Sequence, residues 1–153
     1  TINLPLKTQS LGNNLVTLKI KVSGLRGGHS GVDIHEQRGN AVKLLSRMLW
    51  KAKDNKFFIS ELKGGDKHNA IPREAFAIVA VDRSDKDKFI STLKSEEKSI
   101  LEEIKPIDPG LKVEVEDNED IKTTLTYDTQ GKLWIAYSVQ TDKGREVIVK
   151  RMD

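Results

Sequence analysis

Residues 24–49 read GLRGGHSGVDIHEQRGNAVKLLSRML, a glycine-rich turn with a histidine in its middle and an amphipathic helix behind it. Gly27, Gly28 and Gly31 bracket His29 and Ser30. Glycine accepts positive φ and close backbone approach, so the cluster suits a bend that exposes one ring side chain. At neutral pH that ring can donate, accept or protonate. Spacing alone leaves two readings of His29 open, a surface histidine on a plain turn or a functional imidazole. From about Gly39 to Lys53 a helix is predicted, because Ala41, Leu44, Leu45, Met48, Leu49 and Ala52 recur at helical spacing. That stripe is core, while Lys43, Arg47 and Lys51 face water.

Upstream of the turn, Val16, Leu18, Ile20 and Val22 alternate with Thr17, Lys19, Lys21 and Ser23, the period of a half-buried strand. Before it, Thr1–Ser10 is an extended entry segment with a proline. Downstream, Phe57, Phe58, Ile59 and Leu62 form a second strand, and AFAIVAV (Ala75–Val81) is apolar on both faces, as a central strand is. Ser84 or Asp85 can cap a helix running to about Lys105, with Phe89, Ile90, Leu93, Ile100, Leu101 and Ile104 inward. Leu111, Val113 and Val115 alternate with charged residues in a fourth strand. The order β-α-β-β-α-β predicts an α+β, ferredoxin-like antiparallel sheet with two helices on one face. The acidic run Glu116–Asp120 is expected to be a solvated turn. Beyond it, strand-like runs around Leu125–Tyr127, Leu133–Val139 and Val147–Val149, separated by DTQG and TDKG, suggest an extra C-terminal β meander. The expected division is therefore 1–118 as one domain and 119–153 as a C-terminal β extension packed on it.

At 153 residues and 37% hydrophobic content the chain can bury a genuine core. Its net charge of +3 is small beside 26 basic and 23 acidic residues that are interspersed, which argues against a nucleic-acid groove. Aromatics are 5% of residues, too few for the stacking sheet of an RNA-binding domain, and REAFAIVAV does not fit the RNA-binding signature. The absence of cysteine excludes disulfides and thiolate metal sites and fits a cytoplasmic protein. No run approaches the roughly 18 apolar residues of a membrane span, so no membrane partner is expected.

HSGVDIH places His29, Asp33 and His35 within one short segment. Zinc needs three or four converging ligands with partners behind them, and no HExxH or cysteine accompanies these residues. No metal site is expected within this chain. Asp33, His35 and Asn40 are instead expected to shape the loop and the helix start, and His68 is expected to be an exposed histidine. RGGHSG lacks the P-loop lysine and the dinucleotide GxGxxG frame, so it is a weak phosphate cradle.

Two separated motifs carry a resemblance. VSGLRGGHSGVDIHEQRGNAVKLL (Val22–Leu45), followed by GGDKHNAIPREAFA (Gly64–Ala77), resembles the aminoacyl-histidine dipeptidases, or cytosol nonspecific dipeptidases, of the carnosinase-like superfamily of dinuclear zinc peptidases. The likeness covers roughly 1–104, and the tail departs from the pattern expected after these motifs, which puts the domain boundary in question. The resemblance implies the lid, or dimerisation, domain of a larger enzyme, with which an opening at Thr1 agrees. It implies a homodimer, a dipeptide substrate (Xaa-His and other unblocked dipeptides), and two zinc ions bound by a catalytic domain of the same protein. It places His29 as the imidazole that reaches into the partner subunit's active site to stabilise the oxyanion. Asn69 falls on the residue that contacts substrate near the reacting carbonyl, and Arg73 on one that holds its terminal carboxylate. The isolated chain is then expected to be inactive. The alternative is a free-standing ferredoxin-like regulatory domain that binds a small molecule or a partner.

Overall fold

The computed structural model describes residues 15–118 and, beyond them, the backbone of three strands at 124–127, 133–141 and 144–152. The entry segment 1–10, the DTQG turn and residues 142–143 of the TDKG turn lie outside the described residues. Chain order is β1 (Leu15–Ser23), β2 (Gly28–His29), α1 (Ala41–Lys51), β3 (Phe57–Gly64), β4 (Ala70–Ile71), β5 (Ala75–Asp82), α2 (Lys86–Ile104) and β6 (Lys112–Asp117), then β7 (Thr124–Tyr127), β8 (Leu133–Thr141) and β9 (Gly144–Met152).

Val16–Asn118 forms one compact unit. Its four-stranded sheet runs β3-β5-β1-β6, with β1 antiparallel to β6 (Ile20↔Val115) and β3 antiparallel to β5 (Phe57↔Val81). With the two helices, this is the ferredoxin-like arrangement that the element order predicts. The alternation in β1 buries Leu18, Ile20 and Val22 completely and leaves Lys19 in water, since successive strand residues face opposite sides. In β5, Ala75, Ala77, Val79 and Val81 join those residues in one core with the α1 stripe and with Phe89, Leu93 and Ile100 of α2. Ile90, Leu101 and Ile104 pack half-buried at its margin. The rings of Phe57 and Phe89 lie 5.1 Å apart at 55°, a tilted contact that favours aromatic pairs beyond simple burial.

Two helix starts differ in detail from expectation. α1 begins at Ala41 rather than Gly39, because Asn40 is its N-cap and its Oδ1 accepts the Lys43 N–H at 3.1 Å. At α2 the N-cap is Asp85, whose side chain makes no capping bond. Ser84 instead donates its hydroxyl to Asp82 at 2.7 Å. The acidic run does not start as a turn: Glu116 and Asp117 continue β6 in register with Lys19 and Leu18, and Lys86 pairs with Asp117 at 2.6 Å.

Arg47 fastens α1 to α2. Its Nε donates to Glu96 at 2.8 Å, and its two terminal nitrogens donate to Glu103 at 2.7 and 2.6 Å. The bidentate hydrogen bond from Arg47 holds the Glu103 carboxyl below its ordinary value, and Glu103 raises the guanidinium in turn. At the sheet margin, edge strand β3 exposes Phe58, Ile59 and Leu62 at 39, 53 and 40%. The opposite edge, β6, carries Lys112, Glu114 and Glu116 instead. Strands β7, β8 and β9 form a separate three-stranded antiparallel meander (Leu125↔Ile135, Ile135↔Lys150). Among the described residues no helix is long and apolar enough to cross a membrane.

Candidate functional site

Two strands too short to show any sequence periodicity build the site. β2 and β4 pair antiparallel, setting Gly28 opposite Ile71 and His29 opposite Ala70. The Ser30 N–H then donates to the Asn69 carbonyl at 2.9 Å, so the glycine turn and the HNAIPREA loop hold one another. This ladder brings His29 and Asn69 side by side, forty positions apart in sequence.

The turn itself is stapled by charged side chains. Asp33 accepts the His29 N–H at 2.7 Å, and its own N–H donates to the His29 carbonyl at 2.9 Å. Arg38 donates to the Gly27 carbonyl at 2.7 Å, pairs with Asp33 at 3.3 Å and pairs with Glu36 at 2.9 Å. Gly28 suits the position between them, because its φ of +152° is one that other residues rarely adopt and a Cβ there would come within 2.6 Å of the Asp33 carboxylate. Asp33 therefore shapes the loop, as expected. His35 lies exposed in a single 3-10 turn, and His68 is exposed.

The imidazole has a defined role in this turn. Its Nδ1 accepts the N–H groups of Gly31 and Val32, both at 3.1 Å. A neutral ring that accepts at Nδ1 carries its hydrogen on Nε2. That Nε2 lies 3.5 Å from the Asn69 side-chain nitrogen, and both residues are exposed. Two donors side by side satisfy neither, but an oxygen set about 2.9 Å from each would accept from both. The pair can therefore donate to one acceptor oxygen placed between them.

Arg73 sits elsewhere on the same loop. It is exposed, and its Cβ lies 3.1 Å from where a Gly27 Cβ would stand. With Lys21, Arg26, Lys63 and Lys67 it walls an open groove of about 730 Å³ beside Gly27 and Gly28, with Asp66 and Glu74 as the acidic members. His29 and Asn69 are not part of that wall. The structure thus joins His29 to Asn69 and sets Arg73 at the adjacent cationic groove. Arg38 escaped the sequence reading because its partners scatter through an aperiodic loop. Among the described residues no group of three or more His, Cys, Asp or Glu is placed to hold a metal ion. The described residues do not fit a zinc site.

Comparison with known proteins places these features in a family context. The peptidase dimerisation domain family matches residues 20–109. The chain is 41% identical over 102 residues to a cytosol non-specific dipeptidase from Escherichia coli, an alignment covering 66% of this chain and 21% of that protein. Among solved structures it resembles an aminoacylhistidine dipeptidase from Vibrio alginolyticus at a TM-score of 0.69 and 23% identity, covering 94% of this chain and 34% of that one. It also resembles an amidase of the hydantoinase/carbamoylase family from Burkholderia multivorans at a TM-score of 0.54 and 16% identity, covering 68% and 27%. At these identities the structural likenesses establish the fold alone. The chain spans about a fifth of the length of the curated relative and a third of the first solved one.

Proposed function

Because the chain belongs to the peptidase dimerisation domain family, we propose that it is the lid and dimerisation domain of a cytoplasmic dipeptidase acting on Xaa-His and other unblocked dipeptides. Residues 1–118 are read as the lid, and 119–153 as its β extension. The similarity to a dipeptidase over two thirds of the chain supports the reaction class. Two zinc ions and the general base are assigned to a catalytic domain outside this chain, so the chain alone is expected to be inactive.

The observation that carries this reading is the donor pair formed by His29 Nε2 and the Asn69 amide. When water adds to the scissile carbonyl, the C=O π pair moves onto oxygen and negative charge appears where none stood before. Donors held in place for that oxygen stabilise the transition state more than the substrate, which is what raises turnover. When the intermediate collapses, the C–N bond breaks and the amine leaves with a proton supplied by the catalytic domain. Arg73 is assigned to the substrate's terminal carboxylate, since a guanidinium suits that planar anion and basic side chains outnumber acidic ones among the charged residues of the groove around it.

The dimer contact is assigned to β3. An unpaired edge strand with apolar side chains invites pairing with another chain, and Phe58, Ile59 and Leu62 supply that character. The charged β6 edge does not.

The test is His29→Ala in the complete enzyme. Loss of one oxyanion donor is expected to lower kcat by about 10² to 10³-fold, with folding and zinc content unchanged. Wild-type turnover in that variant would refute the assignment.

A further inference from the structure

One buried charge lies outside the chemistry described so far. Asp108 is fully buried in the turn that follows α2, and its carboxylate faces the glycine loop. Oδ1 accepts the Arg26 N–H at 2.7 Å and Oδ2 accepts the Gly39 N–H at 2.6 Å. These amides stand at the two roots of the excursion that carries β2 and His29. The turn is itself fixed, because the Asp108 N–H donates to the Ile104 carbonyl at 2.7 Å at the end of α2. Arg26 reinforces the first root by reaching the Ile107 carbonyl at 3.5 Å. At the second root a Gly39 Cβ would lie 3.3 Å from Oδ2 and 2.9 Å from a Leu25 methyl, so the close approach relies on a residue without a side chain.

A carboxylate removed from water needs hydrogen-bond donors, and here each of its oxygens accepts one backbone N–H. One anion thus fixes the separation of both loop ends against the C-terminus of α2. We propose that Asp108 is a positioning residue that sets the angle at which the loop presents His29 to the reacting carbonyl. The proposal rests on the reading of His29 given above. A donor aimed at a transition state is sensitive to displacements on the order of 1 Å, and a loop held at both roots from one rigid helix end limits them.

The test uses Asp108→Asn in the complete enzyme. The amide has a single acceptor oxygen, and its NH2 group opposes the second backbone N–H, so one root is released. Hydrogen exchange is expected to lose protection across 24–39 while α1 and α2 keep theirs. Turnover is expected to fall about ten- to a hundredfold in kcat, with a smaller change in KM because Arg73 itself lies outside the released segment. In a His29→Ala background the same substitution is expected to produce no further fall in kcat, since residues acting through one another are not additive. Gly39→Ala perturbs the same bond without removing the carboxylate, and is expected to act in the same direction should Asp108→Asn fail to fold. Unchanged exchange at 24–39 overturns the proposal, as does an equal loss of kcat with and without His29. Wild-type turnover in His29→Ala alone would defeat the reading of His29 and with it the catalytic part of this proposal, whereas the exchange measurement judges the loop clamp independently.

Discussion

Replacing Asn69 by aspartate exchanges a donor for an acceptor beside the His29 ring, and the two outcomes separate readings of the pair. If the amide helps receive an oxyanion, Asn69→Ala removes one donor and lowers kcat by about 10² to 10³-fold. Asn69→Asp is expected to lower it further, because the carboxylate would engage the Nε2–H and repel the developing charge. Steady-state kinetics of the two variants in the complete enzyme check the order, and wild-type turnover in both would remove Asn69 from the chemistry. At this scale the sequence was partly legible. The glycines around His29 indicate an exposed ring, and Asn40 at the helix start indicates a local role. The proximity of His29 to Asn69 was not readable from pattern, because it depends on two-residue strands that carry no alternation. Asp108 was equally hidden: its partners stand 82 and 69 positions away in sequence, and PIDPG reads locally as nothing more than a helix stop.

The elements were far more legible than the site. The apolar alternation of β1, the stripe of α1 and the two-sided apolar run of β5 each follow from burial on a definite face, which the amino-acid sequence records directly. The Arg47 bridge between α1 and α2 is not recorded that way, since a charged residue on a helix surface reads as solvated. It has a pH signature. Glu103 is held below its ordinary value chiefly by the hydrogen bond from Arg47, so its contribution to stability is present above the unfolded carboxylate value and is lost as pH falls through the lowered folded value. Thermal unfolding of Glu103→Gln is therefore expected at lower temperature than wild type above about pH 5, with the gap closing as the solution is acidified below the carboxylate range. A gap that widens on acidification would contradict this sign. The effect is modest, because both side chains are near half exposed and water screens such pairs.

On the scale of the whole molecule, the proposed dimer contact follows from the uneven edges of the sheet. β3 presents Phe58, Ile59 and Leu62, whereas β6 presents lysine and glutamates. Charges on an edge strand oppose pairing, so Ile59→Lys with Leu62→Lys is expected to shift the complete enzyme from dimer to monomer in sedimentation. Turnover should fall in parallel if each active site needs the other subunit's lid. An unchanged dimer would move the contact away from β3. The central claim, that the loop of one subunit completes the reaction centre of the other, is tested most directly by mixing two inactive variants of the complete enzyme. One carries His29→Ala, and the other lacks the general base of its catalytic domain. Random exchange of subunits in a symmetric dimer gives hybrids with one intact site each, so activity is expected to recover to about a quarter of wild type. Hybrids demonstrated to form, yet no more active than their parents, would contradict the account.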